Sequence, residues 1–354
     1  MEVKEKQLFQ ALCKFKDGIN GDLVNYATPS VLGLLFFNRM QGVAFDTLRR
    51  NGLLGKVNRE FRNSLGAAHE QNVAKNESFF TCVAMLSDII SKSSCKIAML
   101  KGAYLCSHYP AGYRTSNDVD LLVSPNDVGK IGNLLTTAGF VQGNIRNGEF
   151  VPATRKEIIE SKMTRGETVP YIKQVDLPYM KFFEVDINFS LDYKTSTDDT
   201  LSRMLNNICV KNENGIYIKT LENTDFFIHL CAHLYKEATT LPWIKMHRDM
   251  TMYKYCDIYL LLSEMSESEV DDIFKRAKEF DMEKICAYAI LETFNLFDMD
   301  FTYAYNKATL ALEDDPDFCL KVISPSEKKL FTYQTKSTLE RFFMNNRQND
   351  LKEI

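Results

Sequence analysis

The sequence lacks several features that would place it in a familiar class. No stretch approaches the roughly 18 to 20 apolar residues of a membrane-spanning helix. The N-terminus, MEVKEKQLFQ, alternates in charge and has no apolar signal core. Neither a P-loop nor a glycine-rich dinucleotide fingerprint is present. We therefore expect no membrane insertion and no export, and the common phosphate-binding glycine motifs are excluded.

Closely spaced cysteines are also missing. The chain has 9 cysteines, and the nearest two, Cys95 and Cys106, are too far apart to form a C-x-x-C pair. This spacing excludes zinc ribbons and thioredoxin-type redox motifs. The odd count and the apolar surroundings of Cys82, Cys231 and Cys256 predict reduced, mostly buried thiols, as in a cytoplasmic protein.

An excess of basic charge is absent as well. The chain carries 43 Lys and Arg against 47 Asp and Glu, a net charge of −4. Binding to a nucleic-acid backbone depends on clustered Lys and Arg, so nucleic acid is not expected as the main partner, although a local basic groove remains open. The hydrophobic share of 45% is ordinary for a globular protein. At about 150 residues per domain, the length suggests two or three units.

Hydrophobic spacing divides the chain into three parts. Residues 1–90 have the helical period. Residues 91–222 alternate short apolar runs with amphipathic segments, which predicts an α/β unit. Within it, 143–170 has no clean period and is expected to be an insertion or loop. The helical period returns over 223–354, and the last 30 residues are expected to fray. The predicted fold class is α+β, an α/β core with helical flanks. The predicted strands are KIAML, DVDLLV, YIKQVDL, KFFEVDINFS and GIYIKTL.

Two aspartates, Asp118 and Asp120, alternate with apolar residues in the predicted DVDLLV strand. Residues i and i+2 of a strand point to the same side, so the two carboxylates share a face. They repel each other unless a cation lies between them, and Mg²⁺ prefers such oxygen ligands. A second D-x-D, Asp298 and Asp300, lies in a helical context without a preceding glycine turn, and we interpret it as a solvated helix end.

Lys101 and Gly102 follow the first predicted strand and precede a short helix. Glycine lets a backbone approach a phosphate closely, and a helix N-terminus favours an anion. Lys101 and Arg114 would supply neutralising charge. The alternative is a tight structural turn with a surface lysine.

A third carboxylate occurs in the predicted KFFEVDINFS strand. Glu184, Asp186 and Asn188 share one face of it. If this strand lies beside DVDLLV, Asp186 joins Asp118 and Asp120 around one or two Mg²⁺ ions, a site for displacement at phosphorus. A second ion, or Asp186 as general base, would then activate the attacking hydroxyl. The alternative is an amphipathic strand with a solvated face.

A family resemblance is carried by residues 97–140, with an L-K-G turn, an arginine shortly before the aspartates and the D-V-D-L-L-V strand. In these motifs the chain resembles the bacterial family often labelled uncharacterised nucleotidyltransferases, within the DNA polymerase beta superfamily. The weaker part of the resemblance extends over roughly residues 60 to 300. It implies a polymerase beta-like nucleotidyltransferase core with a mixed sheet.

The resemblance also implies roles for individual residues. The catalytic and metal-binding carboxylates would be Asp118, Asp120 and Asp186. The residues near the nucleotide phosphates would be Lys101, Gly102 and Arg114. Two departures are visible: Ala103 follows the glycine where the wider superfamily usually has Ser or Gly, and Asn188 stands where relatives often carry His.

Other motifs are weaker. His229 and His233 are i and i+4 on a predicted helix, but no glutamate lies between them as in a zincin. The triplet beginning at His247 superficially matches a kinase catalytic loop, without the glycine-rich loop or the D-F-G that accompany it. Trp243 and its aromatic neighbours are interpreted as core.

The sequence therefore predicts a Mg²⁺-dependent nucleotidyltransferase. It would use a nucleoside triphosphate, with ATP as the default, and an unidentified small-molecule, peptide or protein acceptor, and would release pyrophosphate. Two alternatives stay open: an inactive nucleotide-binding partner module of the same fold, and phosphoryl transfer at the same site.

Overall fold

The computed structural model describes residues 1–15, 18–164, 166–191, 199–213 and 215–354. The N-terminal part is helical, as predicted. Its helices are α1 Val3–Cys13, α2 Pro29–Phe37, α3 Gln41–Arg50 and α4 Arg59–Ser91. Thr28 caps α2 by accepting a hydrogen bond from the Val31 amide, and Pro29 occupies the first turn, where its missing N–H costs no helical hydrogen bond.

Contacts group the chain into two compact units, Met1–His69 with Phe227–Ile354, and Glu70–Phe226. The predicted boundaries after residues 90 and 222 remain a prediction. The α+β class, with a mixed sheet and helical regions on both sides of it in the sequence, is confirmed.

The unit Glu70–Phe226 is built on a sheet of six described strands in the order β1-β2-β6-β5-β3-β4. Its strands are β1 Ile97–Met99, β2 Asp118–Val123, β3 Val141–Arg146, β4 Glu149–Pro152, β5 Tyr171–Leu177 and β6 Met180–Asn188. Helices α5 Gly102–Leu105, α6 Val128–Thr137, α7 Arg155–Thr164 and α8 Thr200–Leu205 lie between strands in the sequence. A hairpin, β7 Ile208–Glu213 with β8 Ile216–Leu221, completes the strands described for this unit. The β2–β6 pair is parallel and the other pairs of the main sheet are antiparallel.

Alternating apolar residues hold the sheet against its core. Val119, Leu121, Val185 and Ile187 are completely buried in a cluster that also contains residues of α4 and α6. The alternate residues of β2 and β6 are therefore left on the opposite face of the strands. Burial of the apolar set fixes the pairing register, because a slip of one residue would exchange the two faces.

The structure corrects one of the two alternatives given for residues 143–170, an insertion or a loop, and adds a strand that was not predicted. Residues 143–170 are not a loop: they contain β4, α7 and most of β3. Asn147 and Gly148, both with positive φ (52° and 79°), form the tight turn of the β3–β4 hairpin. The strand β7 was not predicted, because it pairs with β8 and its apolar residues are partly buried or, at Val210, exposed.

The unit Met1–His69 with Phe227–Ile354 is mainly helical. Its later helices are α9 Asn223–Ala238, which begins in the other unit, α10 Leu241–Lys245, α11 Met252–Ser263, α12 Glu267–Glu279, α13 Glu283–Phe297, α14 Thr302–Ala311 and α15 Thr338–Phe342. The last 30 residues are more ordered than expected, since they contain β10 Lys329–Tyr333 and β11 Leu351–Glu353, which form a small antiparallel sheet with the preceding strand, β9 Lys321–Ser324. Across the residues that can be described, no helix combines the length and apolar character needed to cross a membrane.

Candidate functional site

The two predicted aspartates open strand β2. Asp118 is its first residue and Asp120 its third, and both lie on the face opposite Val119 and Leu121. Asp120 is buried and Asp118 is partly exposed. The backbone carbonyl of Asp120 accepts a hydrogen bond from the Leu100 amide at 2.9 Å, which ties the aspartate strand to the end of β1.

Strand β6 brings the third predicted carboxylate to the same place. In the parallel β2–β6 pairing, Asp120 lies opposite Asp186 and Asp118 lies opposite Glu184. Neighbouring strands are about 4.8 Å apart, so four carboxyl groups meet on one face of two strands. The sequence analysis required the strand of Asp186 to lie beside the strand of Asp118 and Asp120, and the two strands are indeed neighbours. The catalytic and metal-binding roles of the three aspartates remain predictions.

The protein environment disfavours charge on this cluster. Burial raises the pKa of Asp186 well above its ordinary value, and the neighbouring carboxylates of Asp120 and Asp118 raise it further. Burial also raises the pKa of Glu184, with a further contribution from Asp118. A nearby cation would relieve this repulsion, because opposite charge favours the ionised form.

Protein donors already bind the two β2 carboxylates. The ammonium of Lys101 donates to Asp120 Oδ1 at 3.0 Å, and Asn188 Nδ2 donates to the same oxygen at 3.1 Å. The Ser116 hydroxyl donates to Asp118 Oδ1 at 2.7 Å. Lys101 thus contacts a predicted metal ligand.

The turn between β1 and α5 is tightly packed. A Cβ on Gly102 would lie 2.9 Å from both Cβ and Oγ of Ser116 and 3.3 Å from Nη1 of Arg114. Glycine is required here by this close approach. The guanidinium of Arg114 is buried and lies 3.6 Å from the Cys106 sulfur, and its backbone carbonyl accepts from the Asn76 side chain. The structure therefore brings Lys101, Gly102 and Arg114 to the aspartate strand.

Glu167 also lies near these carboxylates, and the sequence pattern did not identify it as a site residue. Glu167 pairs with Asn188 through an isolated antiparallel bridge, and its charge contributes to the raised pKa of Asp186. Glu167 lies in the segment 143–170, which was expected to be an insertion or loop. The Asn147-Gly148 dipeptide was the signal that could have identified ordered structure there.

The donor chemistry fits a divalent metal, although the side chains as placed do not form a complete site. Within the described residues, no three His, Cys, Asp or Glu side chains are grouped so that they could hold a metal ion. Asp118, Asp120 and Asp186 nevertheless supply hard oxygen ligands from two adjacent strands, with mutual repulsion that a cation would relieve.

The weaker candidates have structural partners. His233 lies 3.5 Å from a carboxylate oxygen of Glu237, which also forms an ion pair with Lys254. Asp298 caps the end of α13 in a left-handed conformation, is 89% exposed and lies 3.5 Å from the Lys14 ammonium. The interpretation of Asp298 as a solvated helix end is confirmed.

Comparison with known proteins agrees with the resemblance seen in the motifs. The model of the family described as uncharacterised nucleotidyltransferase matches residues 28–298, which is most of the chain and includes every predicted site residue. A search of curated proteins finds no match. Among solved structures, an antigenic nucleotidyltransferase-like protein from Paracoccidioides brasiliensis is 13% identical, over 58% of this chain and 90% of that chain, with a TM-score of 0.32. A score this low does not establish a shared fold. The extent of the family match does establish membership: this chain belongs to the uncharacterised nucleotidyltransferase family.

Proposed function

We propose that the protein is a Mg²⁺-dependent nucleotidyltransferase. It would transfer a nucleoside monophosphate group from a nucleoside triphosphate, with ATP as the default, to a small-molecule, peptide or protein acceptor. The observation that supports this most strongly is the parallel β2–β6 pairing, which sets Asp120 opposite Asp186. A cluster of repelling carboxylates is costly to keep unless it serves a cation.

The residues that would hold one or two Mg²⁺ ions are Asp118, Asp120 and Asp186. Bound there, Mg²⁺ would neutralise charge on the phosphates and lower the barrier to displacement at phosphorus. Lys101 and Arg114 would add positive charge near the triphosphate. Gly102, the first residue of α5, would lie near the phosphates, and its missing side chain lets Ser116 and Arg114 pack beside it.

The reaction follows from the chemistry of the substrate. An acceptor hydroxyl oxygen forms a bond to the α-phosphorus, and the bond from that phosphorus to the oxygen bridging the α- and β-phosphates breaks. Pyrophosphate leaves with the bonding electrons, and the hydroxyl proton passes to a carboxylate at the site. Asp186 can take this proton, or it can help to hold a second ion while another base accepts the proton.

Nucleotide binding and turnover test the proposal. The protein is heated with each nucleoside triphosphate, with and without Mg²⁺, and pyrophosphate release is measured with cell extract as a source of acceptor. Ligand at 100 times its dissociation constant stabilises a protein by about 2.7 kcal/mol, a readily measured shift. We expect a Mg²⁺-dependent shift and pyrophosphate release that disappear in the Asp118→Asn/Asp120→Asn variant.

The D-x-D motif at Asp298 and Asp300 provides a matched control. Asp298→Asn/Asp300→Asn makes the same chemical change at an exposed helix end and should leave both signals intact. Pyrophosphate release unchanged in the Asp118→Asn/Asp120→Asn variant would contradict the proposal.

The same experiment separates the alternatives. Nucleotide binding without any turnover would indicate an inactive nucleotide-binding module. Release of a nucleoside diphosphate, with an acceptor heavier by one phosphate, would indicate phosphoryl transfer. An acceptor heavier by a nucleoside monophosphate is the result expected for nucleotidyl transfer, and mass analysis of that product would identify the acceptor.

A further inference from the structure

Lys101 has a backbone conformation that is rare for a residue with a side chain. Its φ is 48° and its ψ is −118°, a region in which glycine is favoured. The backbone is held there by neighbours, because the Lys101 carbonyl accepts hydrogen bonds from the amides of Tyr104 and Leu105 at 3.1 and 2.8 Å. Such strain persists where the surrounding structure imposes it, and it often marks a functional site.

The strained turn places the lysine ammonium among the carboxylates. Lys101 Nζ lies 3.0 Å from Asp120 Oδ1, with the Lys101 side chain 22% exposed and that of Asp120 10% exposed. In the parallel pairing of β2 with β6, Asp120 lies opposite Asp186. The ammonium therefore lies on the carboxylate face of the β2–β6 pair, where a divalent cation would be expected to bind.

Lys101 and a metal ion cannot both be bound to the same carboxylate oxygen of Asp120 without strong repulsion between them. Asp120 Oδ1 already accepts hydrogen bonds from Lys101 and from Asn188. A cation bound to the same oxygen would lie close to the ammonium, and like charges at that distance repel strongly. Lysine is suited to moving away, because its charge is a point at the end of a flexible stem, and it is a common ligand of phosphate.

We propose that Lys101 is a displaceable counter-ion: its ammonium neutralises Asp120 until Mg²⁺ binds the carboxylates, and it then moves to the phosphates of the nucleotide. This inference rests on the proposed function, since it requires the aspartates to bind Mg²⁺. It gives Lys101 two successive partners and makes it a positioning residue for the triphosphate.

Calorimetric titration tests the competition without measuring catalysis. Mg²⁺ alone is titrated into the wild type, Lys101→Met and Lys101→Arg. Removing the ammonium should tighten Mg²⁺ binding by roughly tenfold. A neighbouring opposite charge changes the affinity of a carboxylate for a proton by about ten- to a thousandfold, and we take the lower end of that range for Mg²⁺. Lys101→Arg keeps a cation and should bind Mg²⁺ more weakly than Lys101→Met. In the presence of Mg²⁺, Lys101→Met should bind the nucleoside triphosphate roughly tenfold more weakly than the wild type.

A lysine away from the cluster provides the control. Lys130 forms an ion pair with Asp127 at 2.8 Å in the same unit, and its side chain is 72% exposed. Lys130→Met removes the same charge and should leave Mg²⁺ affinity within about twofold of the wild type, because exposed charges are screened by salt.

The outcomes separate the two proposals. If neither the wild type nor the variants bind Mg²⁺, the proposed function fails. If the wild type binds Mg²⁺ and Lys101→Met binds it no more tightly, the counter-ion role alone is overturned.

A second measurement uses the unaltered protein and does not depend on how the variants fold. The wild type is treated briefly with an amine-acetylating reagent, and modification of Lys101 is quantified by peptide mass spectrometry. Mg²⁺ alone should increase modification of Lys101, because the ammonium leaves Asp120. Further addition of a nucleoside triphosphate should protect Lys101 again. Modification unchanged at saturating Mg²⁺ would show that Lys101 stays on Asp120, and the inference would be wrong.

Discussion

Gly102→Ala tests the geometry of the turn that carries the predicted phosphate-binding residues. The added Cβ would lie 2.9 Å from Cβ and Oγ of Ser116. Ser116 has little freedom to move, because its hydroxyl is bound to Asp118 at 2.7 Å. Overpacking of this kind costs about 1–3 kcal/mol. Alanine recovers up to about 1 kcal/mol through its lower conformational entropy in the unfolded chain. We expect a net loss of about 1–2 kcal/mol in the free energy of unfolding.

Urea unfolding followed by circular dichroism measures this loss. Gly129→Ala is the matched control: Gly129 is the second residue of α6, and a Cβ added there meets nothing within 4 Å. That variant should be as stable as the wild type or more stable, by up to about 1 kcal/mol. Because the same substitution should lower stability at position 102 and not at position 129, the difference between the two variants measures the effect of the steric contact.

A double-mutant cycle identifies the atoms responsible. Ser116→Gly removes the Cβ and Oγ that the new methyl group would meet. In the wild-type background, Ser116→Gly destabilises the protein, because the hydrogen bond to Asp118 is lost. In the Gly102→Ala background the same change also removes the steric contact, so its cost should be smaller by a coupling energy of about 1 kcal/mol. If Gly102→Ala is as stable as the wild type, or if the coupling energy is zero, the packing described for this turn is wrong.

Three further predictions concern the unit Met1–His69 with Phe227–Ile354. Arg347 forms a buried two-point ion pair with Asp249 at 2.6 and 2.7 Å. Arg347→Met should therefore lower the free energy of unfolding, measured in urea, by about 3–5 kcal/mol, because it leaves the buried carboxylate of Asp249 without its ion-pair partner. Lys329→Met, which breaks an exposed pair with Glu353 at 2.9 Å, should cost less than about 1 kcal/mol, and equal costs would contradict the prediction. Burial raises the pKa of Tyr235 to about 12, so the unfolded chain loses this proton at lower pH than the folded protein does. Stability should then fall by up to about 2.7 kcal/mol between pH 10 and 12, and Tyr235→Phe should remove that part of the fall. Partial burial raises the pKa of the Cys319 thiol to about 12, so at pH 8 this thiol should react with a disulfide reagent roughly a thousandfold more slowly than a free thiol. Labelling of the folded protein at the rate of a free thiol would contradict this prediction.

The strands that carry the site were predictable because they are regular. In β6 and in the first half of β2, polar residues alternate with apolar ones, and Val119, Leu121, Val185 and Ile187 are completely buried. That alternation both identifies the strands and assigns Asp118, Asp120 and Asp186 to the face away from the core. The pairing of β2 with β6 could only be stated as a condition, because strands β3, β4 and β5 intervene in the sequence and local patterns do not determine partners.

The missed elements have weak patterns for physical reasons. Strands β3 and β4 at one edge of the sheet contain partly exposed residues on both faces, so their alternation is diluted. The strands β9 and β11 are three or four residues long, too short for a period to be recognised. The contact of Lys101 with Asp120 was not predicted either, because it depends on an unusual backbone conformation that the residue type does not suggest.

The core explains how the sheet can hold like charges together. Two carboxylates about 5 Å apart on adjacent strands repel by about 3 kcal/mol at an effective dielectric constant near 20. On the opposite face, Val119, Leu121, Val185 and Ile187 are completely buried, and each contributes about 1.5–3 kcal/mol. The apolar face, about 6–12 kcal/mol in all, therefore outweighs the repulsion within one such pair by about two- to fourfold. A slip of one residue, which would separate the carboxylates, would also expose that face. The register that brings Asp120 opposite Asp186 is thus enforced by hydrophobic residues on the face away from the carboxylates.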